Sequence, residues 1–323
     1  MRAALVEQNG QPPVVGEVNE PRRGPGQALV EVTAAAINPI DISISTGRFY
    51  GGSPEVPYVM GREAVGRVVE GEQLEPGTQI WFQSPSGGAF AEYALADEQQ
   101  AIVLPDGTDH ALAAALGIAA LTGWLAVEWR GHCRAGERVL VLGATGVVGL
   151  VALQAARILG AARIVAAGRD AEALEAARAA GAHETVTLGD ANVTASDPVA
   201  LARAFEEAAG GPLDLIIDPL WGIPAQAAVE AGAFSGRLVQ LGQSAGAEAT
   251  LRSGAVRGKS FAIVGFTLGH VPHDKTEAAY RRLIELASSG ELVIERETLP
   301  LDWAGEAWRR QQDSPHRKLI LLP

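Results

Sequence analysis

Residues 139–160 read VLVLGATGVVGLVALQAARILG, with glycines at 143, 146, 149 and 160. The stretch is almost wholly apolar. Three physical readings compete: a membrane span, a buried core helix, or a turn whose backbone cradles an anion. The choice between them decides the fold.

A span needs roughly 20 consecutive apolar residues in one helix. Here a short strand-like run, RVLVL (138–142), reaches Gly143 before a helical run begins, and that run carries Gln154 and Arg157. The surroundings repeat the same alternation. Strand-like RIVAA (163–167), ETVTL (184–188), LDLIID (213–218) and RLVQLG (237–242) are separated by helical AEALEAARAA (171–180), PVALARAFEEAA (198–209) and IPAQAAVEAGA (223–233). Alternating apolar strands and helices predict a parallel sheet buried on both faces, which explains the apolarity without a membrane.

The turn reading survives. Gly143 supplies a tight turn after the strand, Gly146 lets a pyrophosphate approach the backbone, and Gly149 lets the helix lie close on the sheet. Ala144 stands where the commoner fingerprint has its first glycine. The first-turn backbone N–H groups then face the anion, aided by the helix dipole, and Ala144, Thr145, Val147 and Val148 join Gly143 and Gly146 as cofactor-binding candidates. Placed between strand and helix in the first βαβ unit, the pattern predicts dinucleotide binding. At the end of the second strand the chain reads Gly168-Arg169, where an NAD site would carry a carboxylate. Gly168 removes a charge that would repel a 2′-phosphate, and Arg169 can clamp one. NADPH is the cofactor expected. Asp170 is expected to cap the next helix instead.

The first hundred residues differ. Strand-like ALVEVTAAAI (28–37), AVGRVVEG (64–71) and TQIWFQ (78–83) are broken by Pro and Gly clusters, the punctuation of β structure. A helical run, 111–129, opens the alternating region, and SFAIVGF (260–266), KTEAAYRRLIELASSG (275–290) and RKLILLP (317–323) close the chain. The fold class expected is α/β, a mostly β domain followed by a doubly wound parallel sheet.

Composition bounds the partners. Of 323 residues, 47% are hydrophobic and 20% charged, and the net charge is -12. That carboxylate excess makes nucleic acid and membrane surfaces poor partners. One cysteine, Cys133, excludes an internal disulfide framework and a cysteine-rich zinc site. It sits beside Arg134 and is read as a loop residue, with a somewhat lowered pKa as the alternative. MRAALVEQNG lacks the long apolar run of a signal peptide, so a cytoplasmic location is the expectation.

AAAINPID (34–41), GREAVGRVVEG (61–71), GGAFAEYALA (87–96), AALTGW (119–124), AGERVLVLGATGVVG (135–149) and GRLVQLG (236–242) together resemble the medium-chain dehydrogenase/reductase superfamily, most nearly its quinone oxidoreductase branch. The resemblance implies a GroES-like domain (1–115), a Rossmann domain (116–256) and a return segment (257–323). It implies that Asn38, Asp41, Thr122, Gly242, Gln243, Phe266 and Thr267 line the cofactor, although Asp41 can equally cap or brace its own loop. Zinc-dependent relatives carry a cysteine near Asn38 and a His-Glu pair where this chain has Arg62-Glu63. A catalytic zinc needs about three protein ligands, so no metal is expected. The chemistry implied is hydride transfer from NADPH to an activated acceptor, a quinone or an α,β-unsaturated carbonyl. Reduction of a C=C bond also needs a proton. Tyr50, then Ser43, are the side-chain candidates, with Asn38 beside the reacting ring and solvent as the alternative donor. A homodimer is also implied.

Three other readings compete. GQSAG (242–246) fits a nucleophile elbow using Ser244, with Asp302 and His316 following in hydrolase order, but AEATLRSG after it is a poor helix. A zinc-type alcohol dehydrogenase relative and a non-catalytic NADPH-binding protein complete the alternatives. The paired histidines of GHVPHD (269–274) are separated by Pro272 and read as loop.

Overall fold

The computed structural model describes residues 1–84, 87–189 and 197–323, and all statements below concern these residues. They form two compact units, Met1–Ala119 with Ile294–Pro323, and Ala120–Val293.

The second unit holds a six-stranded parallel sheet. Its strands are β1 (Arg138–Leu142), β2 (Arg163–Gly168), β3 (Glu184–Thr187), β4 (Leu213–Asp218), β5 (Gly232–Gln240) and β6 (Ala262–Gly265). Their spatial order is β3-β2-β1-β4-β5-β6, the dinucleotide-binding arrangement in which strand order reverses between β1 and β4. The apolar runs are buried as expected. Val139, Leu140, Val141 and Leu142 of β1, and Leu215, Ile216 and Ile217 of β4, have no exposed surface. Each such side chain stabilises the fold by roughly 1.5–3 kcal/mol relative to exposure.

The helix after β1, Val147–Ile158, begins at Gly146 and buries Val151, Ala152, Leu153, Ala155 and Ala156. Pro198–Ala209 starts on an Asp197 cap whose carboxylate accepts from Val199 and Ala200 N–H, and it stops at left-handed Gly210. That stop follows because a residue without Cβ enters the left-handed region without steric penalty.

The first unit is mostly β. A seven-stranded sheet centres on Gln27–Ala36, flanked by Glu63–Glu70 and by the C-terminal strand Lys318–Leu322. A three-stranded sheet contains Arg2–Val6, Val14–Glu17 and Tyr58–Val59. Val30, Val32, Ile37, Phe82, Phe90, Trp308 and Leu319 belong to its core. One short helix, Pro39–Ser45, interrupts the strands directly after Asn38. Proline suits its first position, where the missing N–H would have no helical partner.

The unit boundaries differ from the expected ones. The run near 262, assigned from sequence to the return segment, is β6, paired with β5 from Arg237↔Ala262 to Gln240↔Gly265. The helix His273–Ser288 lies in the same unit. The chain therefore returns to the first unit at Ile294 rather than near 257. The strand pairing, invisible in a short apolar run, is the physical reason.

Candidate active site

In the second unit, Gly143 ends β1 with φ +59, left-handed backbone that favours glycine. A Cβ at Gly149 would lie 2.5 Å from Gly143 O and 2.6 Å from the Ala144 Cα, so that helix can sit on the turn only with glycine there. Gly146 is different. A Cβ there meets nothing nearer than Gly143 O at 3.7 Å, so the space before the helix is open and walled by backbone. No side chain caps Gly146, and the first-turn N–H groups at Val147 and Val148 have no partner within the helix. This bare cradle of N–H donors fits a pyrophosphate.

Of the candidates at this turn, Ala144 does not offer its amide to a ligand. The Ala144 N–H donates to Ala167 O at 3.0 Å, tying the turn to β2. Its amide is occupied inside the fold. Thr145 is buried, and a Cβ at Gly168 would lie 3.0 Å from Thr145 Cγ2 and 3.3 Å from Leu174 Cδ2. Gly168 therefore serves packing as well as the absence of charge, which the sequence did not reveal. Arg169 is exposed at the end of β2. Asp170 Oδ1 accepts from Glu172 N at 2.9 Å and Ala173 N at 3.1 Å. That carboxylate is occupied at the helix start, as its sequence position suggested.

Thr122 lies on the helix Ile118–Leu125. A Cβ at neighbouring Gly123 would come within 2.5 Å of Val148 O, so this helix packs closely against the start of Val147–Ile158. Gly242 follows β5 against Pro219, where a Cβ would lie 2.5 Å from the proline carbonyl. Gln243 is exposed on that loop. Phe266 is buried with its ring against Trp129, centroids 6.2 Å apart, and its N–H donates to Gln240 O at 2.8 Å. Its amide is thus unavailable to a ligand. Thr267 is half-buried.

At the end of β4, Asp218 was not singled out by the sequence. Its Oδ1 accepts from Leu220 N at 2.9 Å and Trp221 N at 2.8 Å, while buried Oδ2 has no partner among the described residues. Burial pushes this carboxyl up to about 6, against the pull of the two N–H groups.

In the first unit a buried polar cluster surrounds Asn38. The pairing Ile320↔Ala36 and Leu321↔Ala35 is antiparallel, so continuing the register sets Lys318 opposite Asn38. Lys318 Nζ donates to Asn38 Oδ1 at 2.5 Å and Ile37 O at 2.8 Å, with Glu63 Oε1 at 3.9 Å. Asn38 Nδ2 donates to Glu63 Oε1 at 2.7 Å and Ala36 O at 3.0 Å. Glu63 Oε2 accepts from Trp81 Nε1 at 2.9 Å and Ile118 N at 2.7 Å. Asn38, Glu63 and Lys318 are buried to within 2%.

Both polar ends of Asn38 are therefore committed to this cluster, which gives it a bracing role rather than the catalytic one expected. Burial pushes Glu63 up and Lys318 down. Glu63 accepts hydrogen bonds from three donors, which favours its carboxylate.

Asp41 caps its own helix, its Oδ2 accepting from Asn38 N at 2.8 Å. Its Oδ1 is buried without a partner among the described residues, as is the Tyr58 hydroxyl. Burial pushes Asp41 up to about 7, opposed by the Asn38 N–H, Lys318 and Arg62. Burial, then the charge of Asp41, pushes Tyr58 up to about 12.

Asp41 and Tyr58 line one pocket of about 350 Å³ with Phe49, Met60 and Arg62. Tyr50 and Ser43, the expected proton donors, do not line it. Tyr50 is 83% exposed, with its ring 4.6 Å from that of Phe49. Phe49 turns inward and Tyr50 outward, the one-residue offset that sequence alone could not orient.

Among the described residues no three His, Cys, Asp or Glu side chains gather as metal donors. Cys133 is pushed up to about 11 by burial and then by Glu137, against Arg237, which corrects the lowered-pKa alternative. Ser244 Oγ donates to Pro219 O at 3.3 Å. The next helix begins only at Ser253 and has five residues, so the structure a nucleophile elbow requires is missing.

The chain matches the family models for an alcohol dehydrogenase GroES-like domain over residues 24–106 and a zinc-binding dehydrogenase over 147–289. It is 30% identical to the quinone oxidoreductase of Homo sapiens over 83% of this chain and 80% of that one. It is 34% identical to the quinone oxidoreductase of Pongo abelii, over 59% of this chain and 60% of that one, so this second match spans less than two thirds of the relative. The solved quinone oxidoreductase of Thermus thermophilus, also determined in complex with NADPH, superposes over the full length of both chains with a TM-score of 0.81 and 26% identity. With the β3-β2-β1-β4-β5-β6 sheet and the glycine turn already in place, these similarities make the chain a member of the medium-chain dehydrogenase/reductase superfamily, in its quinone oxidoreductase branch.

Proposed function

We propose that the chain is an NADPH-dependent, zinc-independent oxidoreductase that reduces a quinone or an α,β-unsaturated carbonyl. The observation that carries this reading is the open, side-chain-free cradle before Val147, bounded by Gly143, Gly146 and Gly149. The first-turn amides would hold the pyrophosphate, and Arg169 would pair with the 2′-phosphate. Thr122, Gly242, Gln243 and Thr267 would border the remainder. Bound NADPH would supply a hydride. The NADPH complex of the Thermus thermophilus relative supports the choice of cofactor.

The chain's own contribution is positioning and shielding. The Asn38–Glu63–Lys318 cluster fixes the start of the Pro39–Ser45 helix and hence Asp41. The pocket beside it binds the acceptor, with Tyr58 as the hydroxyl able to donate toward an acceptor carbonyl and solvent as the source of the proton in C=C reduction. Effective concentration of the reacting groups then lowers the barrier. Zinc independence is supported by Asn38 and Arg62, which stand where zinc-dependent relatives carry ligands.

Two copies would pair through the exposed edge strand β6, whose Ala262 and Gly265 lie open, since an uncovered strand edge is a template for pairing. No helix among the described residues is long and apolar enough to cross a membrane. A cytoplasmic location is part of the same proposal.

The test is NADPH consumption with a panel of small quinones and enones, before and after chelation. Acceptor-dependent oxidation that survives chelation supports the reading. Binding without oxidation of NADPH by any acceptor would leave the non-catalytic alternative. Activity lost to chelator and restored by zinc would overturn the metal-free assignment.

A further inference from the structure

Arg62 lines the pocket of the first unit together with Asp41 and Tyr58. It follows directly on Gly61 and opens onto the same wall as Gly51, Gly52 and Gly87. The guanidinium is half-buried, and among the described residues it makes no hydrogen bond and no close ion pair. Its charge is felt by Asp41 only through space. Two other arginines of reduced exposure are occupied by carboxylates. Arg237 forks Glu137 at 2.8 and 2.7 Å, and Arg310 forks Glu297 at 2.9 and 2.6 Å. A planar, permanently charged fork without a bonded partner beside a pocket matches a carboxylate.

We infer that Arg62 is a specificity-determining residue that binds the carboxylate of an anionic hydride acceptor, a short unsaturated keto-acid, with the Tyr58 hydroxyl directed to the acceptor's carbonyl. This inference rests on the proposed reductase reading for the word acceptor, and on the pocket alone for the anion. Four observations support it. The buried Tyr58 hydroxyl has no partner among the described residues, so a ligand carbonyl would relieve it once the side chain shifts. The four glycines leave the wall bare, giving a flat molecule access to the backbone. A volume of about 350 Å³ is near the small end of ligand pockets, which suits a short acid better than a bulky ester. Asp41, the carboxyl on the same wall, is pushed up to about 7 by burial, so near neutrality much of its repulsion toward an anion is removed by protonation.

The experiment compares a short unsaturated keto-acid with its methyl ester, using NADPH and the full chain. For the wild type, kcat/KM for the acid should exceed that for the ester by about tenfold or more, the range of a charge-assisted pair, with the difference carried by KM. In Arg62→Ala the ratio should fall toward one, through a higher KM for the acid. Arg62→Lys, which keeps the charge but not the fork, should restore part of it. A wild-type ratio near one, or a ratio unchanged in Arg62→Ala, overturns the inference.

If neither acceptor is turned over, the reductase reading fails separately, and equilibrium binding of the saturated keto-acid and its ester decides the anion site. Preference for the acid in the wild type and its loss in Arg62→Ala support the inference. Equal binding of acid and ester overturns it.

Discussion

The Lys318 ammonium donates to Asn38 Oδ1 at 2.5 Å, joining residues 280 apart in sequence. This contact closes the first unit, because Lys318 opens the C-terminal strand and Asn38 precedes the helix that carries Asp41. Replacing Lys318 with methionine would leave Glu63 buried beside an unpaired amide oxygen. Breaking a buried charged pair in this way costs about 3–5 kcal/mol. Denaturant unfolding of Lys318→Met should show a loss of that order. A loss below about 1 kcal/mol would mean the cluster contributes little.

Gly146 and Gly149 should separate binding from folding. Gly146 has φ -82 and open space around a would-be Cβ, so Gly146→Val should fold and melt like the wild type. Its side chain would fill the cradle, and NADPH binding should be lost. Gly149→Ala places a methyl 2.5 Å from a backbone oxygen and should lower stability by about 1–3 kcal/mol. Cofactor titration and thermal melts of both variants check this. Retained binding in Gly146→Val would undo the cradle.

Arg169 is exposed and stands one residue beyond Gly168 at the end of β2. If it pairs with the 2′-phosphate, Arg169→Ala should weaken NADPH by about tenfold to a hundredfold. NADH, without that phosphate, should be affected far less. Competitive binding of the two coenzymes measures the ratio, and an equal loss for both would remove the role.

Asp218 makes stability depend on acidity. Its folded carboxyl titrates at about 6 because burial disfavours the charge, against about 4 unfolded. The folded state therefore holds its proton more tightly than the unfolded state. Its contribution is fully present below about pH 4 and is lost as pH rises through about 6. Asp218→Asn abolishes this titration. The stability difference between Asp218→Asn and wild type should shift in favour of the variant by roughly 2 kcal/mol between pH 4 and 7. Urea melts across that range measure it, and a constant difference would contradict it.

The first five strands of the parallel sheet were legible because apolar runs alternate with helical runs along the chain. Pro198–Ala209 and Leu213–Asp218 coincide with the expected segments. β6 was misassigned because four partly exposed residues carry no signal of their partner strand. The glycine turn was readable from spacing, but the committed amides of Ala144 and Phe266 were not, since hydrogen-bond partners across a sheet leave no local trace.

The acceptor pocket was least legible. The adjacent aromatics Phe49 and Tyr50 face different ways, and Tyr58, nearby in sequence, is the tyrosine that lines the pocket. The buried Lys318 stands at the start of the closing strand in RKLILLP, where the local sequence carries no sign of its partners. Its meaning came from the antiparallel register with Ala35 and Ala36.

Calorimetric titration of the purified chain with NADPH tests the central claim most directly. A backbone cradle at Gly143–Gly149 with Arg169 beside it predicts one-site binding, at least about tenfold tighter for NADPH than for NADH. No heat of binding for either coenzyme, confirmed by the absence of any nicotinamide fluorescence change, would contradict the account.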